Sequence, residues 1–248
     1  MKIAVLSDIH GNLLALESVL DDIQEKGCEK ILFLGDYALA GPEPTDVVNF
    51  CISLSAHDNV EMIQGNTDKM ISDYSEEVYE TVSKGAPIMA NALKEEVETL
   101  SVPQKEFLKN LPATKELEID GVKILMVHGS PRKNNEDILP DTPLDKLEEM
   151  LERVDADLIL CGHTHIPCGF QTNSKKTVVN VGSVGRPFTE TPDACYVIVT
   201  TLGNGEFEVE HNFIKYDNFQ ASKILAARKF EGSEQLAHML LHPTHRHF

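Results

Sequence analysis

The N-terminal part of the chain alternates short unbroken apolar runs with stretches whose apolar residues recur every three or four positions. Lys2–Ser7 is a run of strand length, and from Leu13 to Lys26 the residues Leu13, Leu16, Val19, Leu20 and Ile23 form one stripe, so a strand is followed by a helix. The rhythm repeats with a strand over Lys30–Leu34, a helix over about Pro44–Leu54 opened by its proline, and a strand near Val60–Ile63. Further apolar runs stand at Lys123–Val127, Leu158–Cys161, Val178–Val181 and Cys195–Thr200. This alternation predicts an α/β fold whose strand ends carry polar residues to the carboxyl edge of a sheet, where open α/β folds bind ligands.

Two regions break the rhythm. Lys69 to Asn110 reads as successive helices rich in Glu and Lys, interrupted near Pro87 and Pro103, which predicts a helical cap inserted at about residues 69–115. The stretch from Phe219 is helical again, an extension over about residues 218–248 of one domain spanning 1–248. Its end carries His242, His245 and His247, with His238 just before, and is expected to be a solvated tail rather than an accessory metal site.

Composition narrows the partners. With 248 residues, 42% of them hydrophobic, the chain can bury a sizeable core. Lys plus Arg number 22 against 40 Asp plus Glu, a formal net charge of -18 that repels nucleic-acid backbones and anionic lipid alike. Neither nucleic acid nor membrane is an expected partner; a small phosphorylated substrate is, and a homo-oligomer stays open. Met1 to Leu6 reaches Ser7 and Asp8 too soon for a signal peptide, and no apolar run approaches the ~18 residues of a membrane span, so a cytoplasmic location is expected. Five cysteines without a Cys-x-x-Cys pair are expected to be reduced core thiols.

Five short motifs follow apolar runs: Asp8-Ile9-His10, Gly35-Asp36, Gly65-Asn66-Thr67-Asp68, Val127-His128-Gly129 and Gly162-His163-Thr164-His165. Carboxylate and imidazole together suit divalent transition metals, whereas Mg and Ca favour a shell that is mostly oxygen. A His two positions from an Asp or another His can converge on one ion when both lie in a tight turn, and glycine lets the backbone approach closely.

In these motifs the chain resembles the calcineurin-like metallophosphoesterases, and within them the small bacterial and archaeal phosphodiesterase branch, a likeness extended by the later loop Asn180-Val181-Gly182-Ser183-Val184-Gly185-Arg186-Pro187. The resemblance implies a four-layer α/β/β/α sandwich of two mixed sheets flanked by helices. It implies a first ion, Mn, Fe, Ni or Zn, on Asp8, His10 and His165, a second on Asn66, His128 and His163, and Asp36 as the bridge, with Mn²⁺ expected to support turnover in vitro. Asp36, Asn66 and His128 are expected to be catalytic as well. The implied activity is hydrolysis of a small phosphodiester or phosphomonoester by a water activated between two cations, a phosphoprotein or nucleotide phosphatase (dinucleoside polyphosphates included) being the alternative on the same centre. A non-catalytic protein-binding scaffold of this fold is the alternative from another class. Two M²⁺ against the charges of Asp8 and Asp36 leave a surplus of two positive charges to hold a phosphoryl group.

Several residues have two readings. Arg132 and Arg186 follow active-site turns and could either grip a phosphate oxygen or pair with surface carboxylates. Asp8 alone could be a helix cap. His57 and His211 lie outside the motifs and are not expected in the site. Family members usually carry a His where Thr67 stands here, and Thr is no general acid near neutral pH, which favours leaving groups that depart without a proton, such as aryl esters or pyrophosphate linkages, unless Asp68 or a cap residue supplies one. Within the cap, Tyr74, Tyr79, Ile88 and Met89 are candidates to close over the substrate.

Overall fold

Strand β1, Lys2–Leu6, shows how the layers stack. Its Ile3 and Val5 point into one apolar cluster while Ala4 and Leu6 point into another, as the two-residue period of extended chain requires. The first cluster lies between two sheets, where Ile3, Val5, Leu32 and Leu34 meet Ile124, Met126, Leu158 and Leu160. The second lies between the first sheet and the helices that cover it. A third cluster, with Leu125, Val127 and Ile159 against Leu147 and Met150, seats a helix on the outer face of the second sheet. The result is the expected α/β/β/α order.

The computed structural model describes residues 1–242. β1 is followed by α1 (Leu13–Glu25), β2 (Lys30–Phe33), α2 (Pro44–Leu54) and β3 (Val60–Met62). Helices α3 (Asn66–Ser72), α4 (Glu76–Gly85), α5 (Pro87–Thr99) and α6 (Val102–Asn110) follow, then β4 (Thr114–Ile119), β5 (Val122–Val127), α7 (Leu144–Met150) and β6 (Leu158–Cys161). β7 (Cys168–Gln171), β8 (Thr177–Asn180), β9 (Ala194–Gly203), β10 (Glu206–Ile214), α8 (Asn218–Ala226) and α9 (Ser233–Met239) complete the described chain. The sheet orders are β10-β9-β1-β2-β3 and β4-β5-β6-β8-β7. In the first sheet β1, β2 and β3 are parallel and β9 and β10 add antiparallel pairings on one side; in the second β5, β6 and β8 are parallel and β4 and β7 pair antiparallel at the two edges.

The strands missed by the apolar-run reading, β4, β7 and β10, are a sheet-edge class. β4 and β10 end their sheets and alternate charged with apolar residues, so their solvent faces carry Glu116, Glu118, Glu206, Glu208 and Glu210 and no unbroken apolar run forms. The helices of residues 66–110 do not build a core of their own: Ile71, Leu93 and Leu108 join the cluster on the first sheet together with Leu225 and Leu236 of α8 and α9. Pro87 opens α5 and Pro103 lies in the first turn of α6, so both interruptions are helix starts. α4 is capped by Ser75 and carries Glu76 and Glu77 in its first turn, but it has no buried residue and is the outermost piece. The cap of α1 is Asn12, whose side chain accepts from Ala15 N, so Asp8 is free of that task. The cysteines are free thiols, with Cys51, Cys161 and Cys195 buried, and burial raises their thiol pKa values. Among the described residues no helix is long and apolar enough to cross a membrane. His245 and His247 lie outside the described residues.

Leu160, fully buried between the sheets, tests this architecture: Leu160→Ala is expected to cost about 2–5 kcal/mol of unfolding free energy, read from a shift in urea midpoint at unchanged slope.

Candidate metal centre

All the parallel strands end at one edge. Asp8 follows β1, Asp36 follows β2, Asn66 opens α3 after β3, His128 follows β5 and His163 follows β6. Beyond the strand ends the first two loops stay hydrogen-bonded to each other, with Asp8 N donating to Gly35 O, His10 N to Asp36 O and Gly11 N to Tyr37 O. Five site residues hold left-handed backbone: Asp8 (φ 55), His10 (φ 45), Asp36 (φ 59), His163 (φ 66) and His165 (φ 62). Non-glycine residues adopt this region at a cost, and they keep it here because neighbouring loops hold them.

Each carboxylate is divided in the same way. Asp8 Oδ2 accepts from His163 N at 2.9 Å, and Asp36 Oδ1 accepts from Thr67 N at 2.9 Å. The other oxygen of each is turned inward: Asp8 Oδ1 lies 3.3 Å from His165 Nε2, 3.8 Å from His10 Nε2 and 3.9 Å from His128 Nε2. Asp36 Oδ2 lies 3.3 Å from His128 Nε2 and 3.9 Å from His10 Nε2. Glycine permits this packing at two points, since a Cβ on Gly65 would stand 2.0 Å from Asp36 Oδ1 and one on Gly162 2.5 Å from Asp8 Oδ2.

The imidazoles are oriented from behind. His10, His128 and His165 each place Nδ1 2.7 Å from a backbone carbonyl, those of Leu39, Leu34 and Arg186. A carbonyl only accepts, so Nδ1 carries a proton and each Nε2 is aimed inward, a lone pair on a neutral ring such as His10 and a donor on His128 while that ring keeps its second proton. His10 Nε2 and His165 Nε2 then face each other at 3.1 Å as two acceptors. Asp8 Oδ1, fully buried, has no hydrogen-bond partner. Three inward Nε2 atoms and two carboxylate oxygens, with a proton on His128 that a cation can displace, fit divalent cations.

Charge follows the same geometry. Burial opposes ionisation of Asp8, but His165 and His128 outweigh it and hold its carboxyl well below the usual carboxylate range. Burial opposes ionisation of Asp36 too, and His128 outweighs it, bringing Asp36 down to about 2. Burial works against a charged His128, yet Asp36 and Asp8 hold its proton up to about 10. Burial and the Arg186 charge push His10 down to about 3, keeping its lone pair free. A cation arriving at His128 therefore displaces a proton.

Two compact groups can each hold an ion: Asp8, His10 and His165, and Asp8, Asp36 and His128, the ligand atoms within 4.8 Å of one another. Asp8 belongs to both. Asn66 Oδ1 stands 3.0 Å from His128 Nε2, at the edge of the second group. His163 lies beside His128 with ring centroids 5.3 Å apart, while its Nε2 faces Asp137 Oδ1 at 3.3 Å. Arg186 lines the cavity over the centre, whereas Arg132 turns away, with Nε 3.0 Å from Glu136 Oε2 and Nη1 3.0 Å from Glu149 Oε1, beside a larger hollow of about 480 Å³ on the outer face of the second sheet. Met89 lines the site cavity; Tyr74, Tyr79 and Ile88 do not. His211 Nε2 donates to Asn180 O outside the site, at 2.8 Å.

Other contributors carry no motif. Asp68 is buried with both oxygens engaged, accepting from Gly65 N, Asp36 N and Tyr37 N, so it pins two ligand loops together and does not line the cavity as a proton donor would. Burial and the nearby charge of Asp36 push Asp68 up to about 7, against the pull of these N–H groups. Glu96 Oε1, buried on α5, accepts from Ala40 N and from Arg228 Nη1, each at 2.8 Å, and Arg228 Nη1 also donates to Gly41 O at 2.6 Å. The segment thus clamped starts at Leu39, whose carbonyl orients His10.

Residues 1–204 match the calcineurin-like phosphoesterase superfamily domain. The chain is similar to an uncharacterized protein of Methanocaldococcus jannaschii, with 31% identity over 231 residues covering 87% of this chain and 88% of that protein. It resembles the crystal structure of a hypothetical protein from Pyrococcus horikoshii, at 26% identity and a TM-score of 0.84 over 99% of both chains. It shares the fold of a metallophosphoesterase from Sphaerobacter thermophilus, at 24% identity and a TM-score of 0.74 over 97% of this chain and 98% of that one.

If the cluster binds cations, chelator-stripped protein titrated with Mn²⁺ to ~100 times the dissociation constant is expected to gain about 2.7 kcal/mol, or roughly 5–10 °C in melting temperature, and to bind more weakly as pH falls because a proton must leave His128. An unchanged melting curve at every pH contradicts this. Arg228→Met leaves Glu96 buried without its cation and is expected to cost ~3–5 kcal/mol in urea unfolding, with Mn²⁺ affinity down about tenfold through the loosened Leu39 carbonyl.

Proposed function

The chain belongs to the calcineurin-like phosphoesterase superfamily, and from that premise we propose that it is a hydrolase of small phosphate esters working at a two-cation centre. The observation that carries this reading is the buried Asp8 Oδ1, partnerless and faced by three imidazole Nε2 atoms whose rings are oriented from behind by backbone carbonyls. Such a set holds metal ions, and transition metals suit its mixture of imidazole and carboxylate. The family likeness supports hydrolysis as the work of these sites.

Asp8, His10 and His165 would hold one cation, and Asp36 and His128 with Asn66 and His163 the other, the inward oxygens of Asp8 and Asp36 each lying within reach of histidines from both sets. Cations bound there supply Lewis-acid polarisation of phosphoryl oxygens and a lowered pKa for water. The protein's own work is placement. Left-handed loops fix the ligands before any substrate arrives, which removes that ordering from the barrier. Arg186, at the wall of the cavity, adds a guanidinium for a non-bridging phosphoryl oxygen. Thr67, in the position of the family's usual His, lines the same cavity and offers no proton near neutral pH, so the leaving oxygen departs as an anion and takes its proton from water.

With Mn²⁺ present, bis(p-nitrophenyl) phosphate is expected to be hydrolysed with release of p-nitrophenolate. Asp36→Asn is expected to lower kcat about 10³-fold, the loss of several kcal/mol of charge placement. Wild-type rates in that variant would exclude Asp36 from the bridging role, and no turnover with both ions bound would favour a scaffold.

A further inference from the structure

We propose that the ester taken at this centre carries a compact aryl group seated beneath the cap, an inference that rests on the hydrolytic reading above. The cavity over the ligands, open to solvent on one side, has a volume of about 400 Å³ and two chemistries. Its floor and wall are polar, formed by the metal-facing loops with Asn66, Thr67 and Arg186. Its upper part is apolar throughout: Leu39, Met70, Val82, Ala86, Met89 and Phe188. No Lys, Asp or Glu of the cap lines it, although α4 and α5 are rich in them. A sugar or nucleobase would bring hydroxyls and amides into a roof with nothing to pair them, at the desolvation cost of unmade hydrogen bonds. An aromatic ring brings none, and an apolar cavity of only about 150 Å³ already accepts benzene.

Arg186 marks the boundary between the two halves. Its Nε is buried with no hydrogen-bond partner, and its Nη1 reaches Met89 Sδ at 3.6 Å, a weak acceptor. The guanidinium is therefore held where an anionic oxygen below and an apolar group above would both touch it. Phe188 stacks on His165, ring centroids 5.1 Å apart and 17° from parallel, and presents an aromatic surface at the cavity wall beside a ligand. Thr67 separates aryl from alkyl esters. Without a proton donor, the bond from phosphorus to the ester oxygen breaks with its electron pair on that oxygen. A phenoxide, whose conjugate acid has a pKa near ~10, carries that pair far better than an alkoxide. Water supplies the hydroxide that forms the new phosphorus–oxygen bond, its other proton ends on the phenol, and no further reactant is needed.

Calorimetric titration of the Mn²⁺-loaded chain with phenylphosphonate, methylphosphonate and ribose 5-phosphate tests the seat without turnover. Phenylphosphonate is expected to bind about tenfold or more tightly than the other two. Met89→Gln, and the near-isosteric Val82→Thr, should each shrink that margin several-fold while leaving the Mn²⁺ thermal shift in place. Affinities within about twofold of one another, or a margin that survives both variants, overturn the proposal, as does a chain that takes up no Mn²⁺. Should phenylphosphonate keep its margin while no aryl ester is hydrolysed, the catalytic reading falls and the aryl seat stands.

Discussion

Two carboxylate oxygens and three imidazole Nε2 atoms are pressed together at the foot of one cavity, with fewer donors than acceptors among them. Buried acceptors without donors are costly, and five ligand residues add backbone in the left-handed region. Loops free to relax would turn these side chains outward. They stay because each is held from behind: the N–H groups of Asp8, His10 and Gly11 are spent on consecutive carbonyls of the next loop, and three histidines are spent on carbonyls of their own neighbours. The sandwich can be understood as the frame for that arrangement, with the inter-sheet core fixing the strand ends from which all the ligand loops spring.

How much of this is legible in the chain depends on whether the cause is local. Inner parallel strands such as β1, β6 and β8 lie buried on both faces and so read as unbroken apolar runs, and the order of the first strands with α1 and α2 is plain from spacing. The edge strands β4 and β10 alternate Glu with apolar residues, and the signal there is a period of two at low apolar density, which is easy to take for loop. The motif residues announce themselves because glycine and metal-ligand chemistry sit together in short turns, but their shares do not. That Asp8 reaches both groups follows from Oδ1 standing among histidines 2, 120 and 157 positions away, which no spacing rule encodes.

The two arginines make the same point. Arg132 and Arg186 both follow ligand turns, and nothing in either heptad of sequence separates them. The difference is made by what else the loop binds. Glu136, four residues on, and Glu149 draw the Arg132 guanidinium outward, whereas Ser183 Oγ and Gly185 N bond the carbonyl of Asp8 and so fold the Arg186 loop back over the centre. Glu96 and Arg228, 132 positions apart, have no local signature at all. Only burial in the shared core of cap and C-terminal helices turns them into a clamp on the loop behind His10.

On the proposed reading, a phosphate site would have to work inside an acidic protein. A net charge of -18 sets up a field that disfavours anions at a distance, yet at physiological salt such a field decays over about 8 Å. Inside that length, what a phosphoryl group would meet is local: any cations bound at the centre, less two carboxylates, plus the guanidinium of Arg186. A monoester small enough to lie wholly within the cavity would experience mostly this near field, while a polyanion would leave the rest of its charge outside, against the surface. Discrimination by size thus needs no dedicated contact, and the chain can devote its buried charges, Glu96 against Arg228 and Asp68 against backbone N–H groups, to holding the loops still.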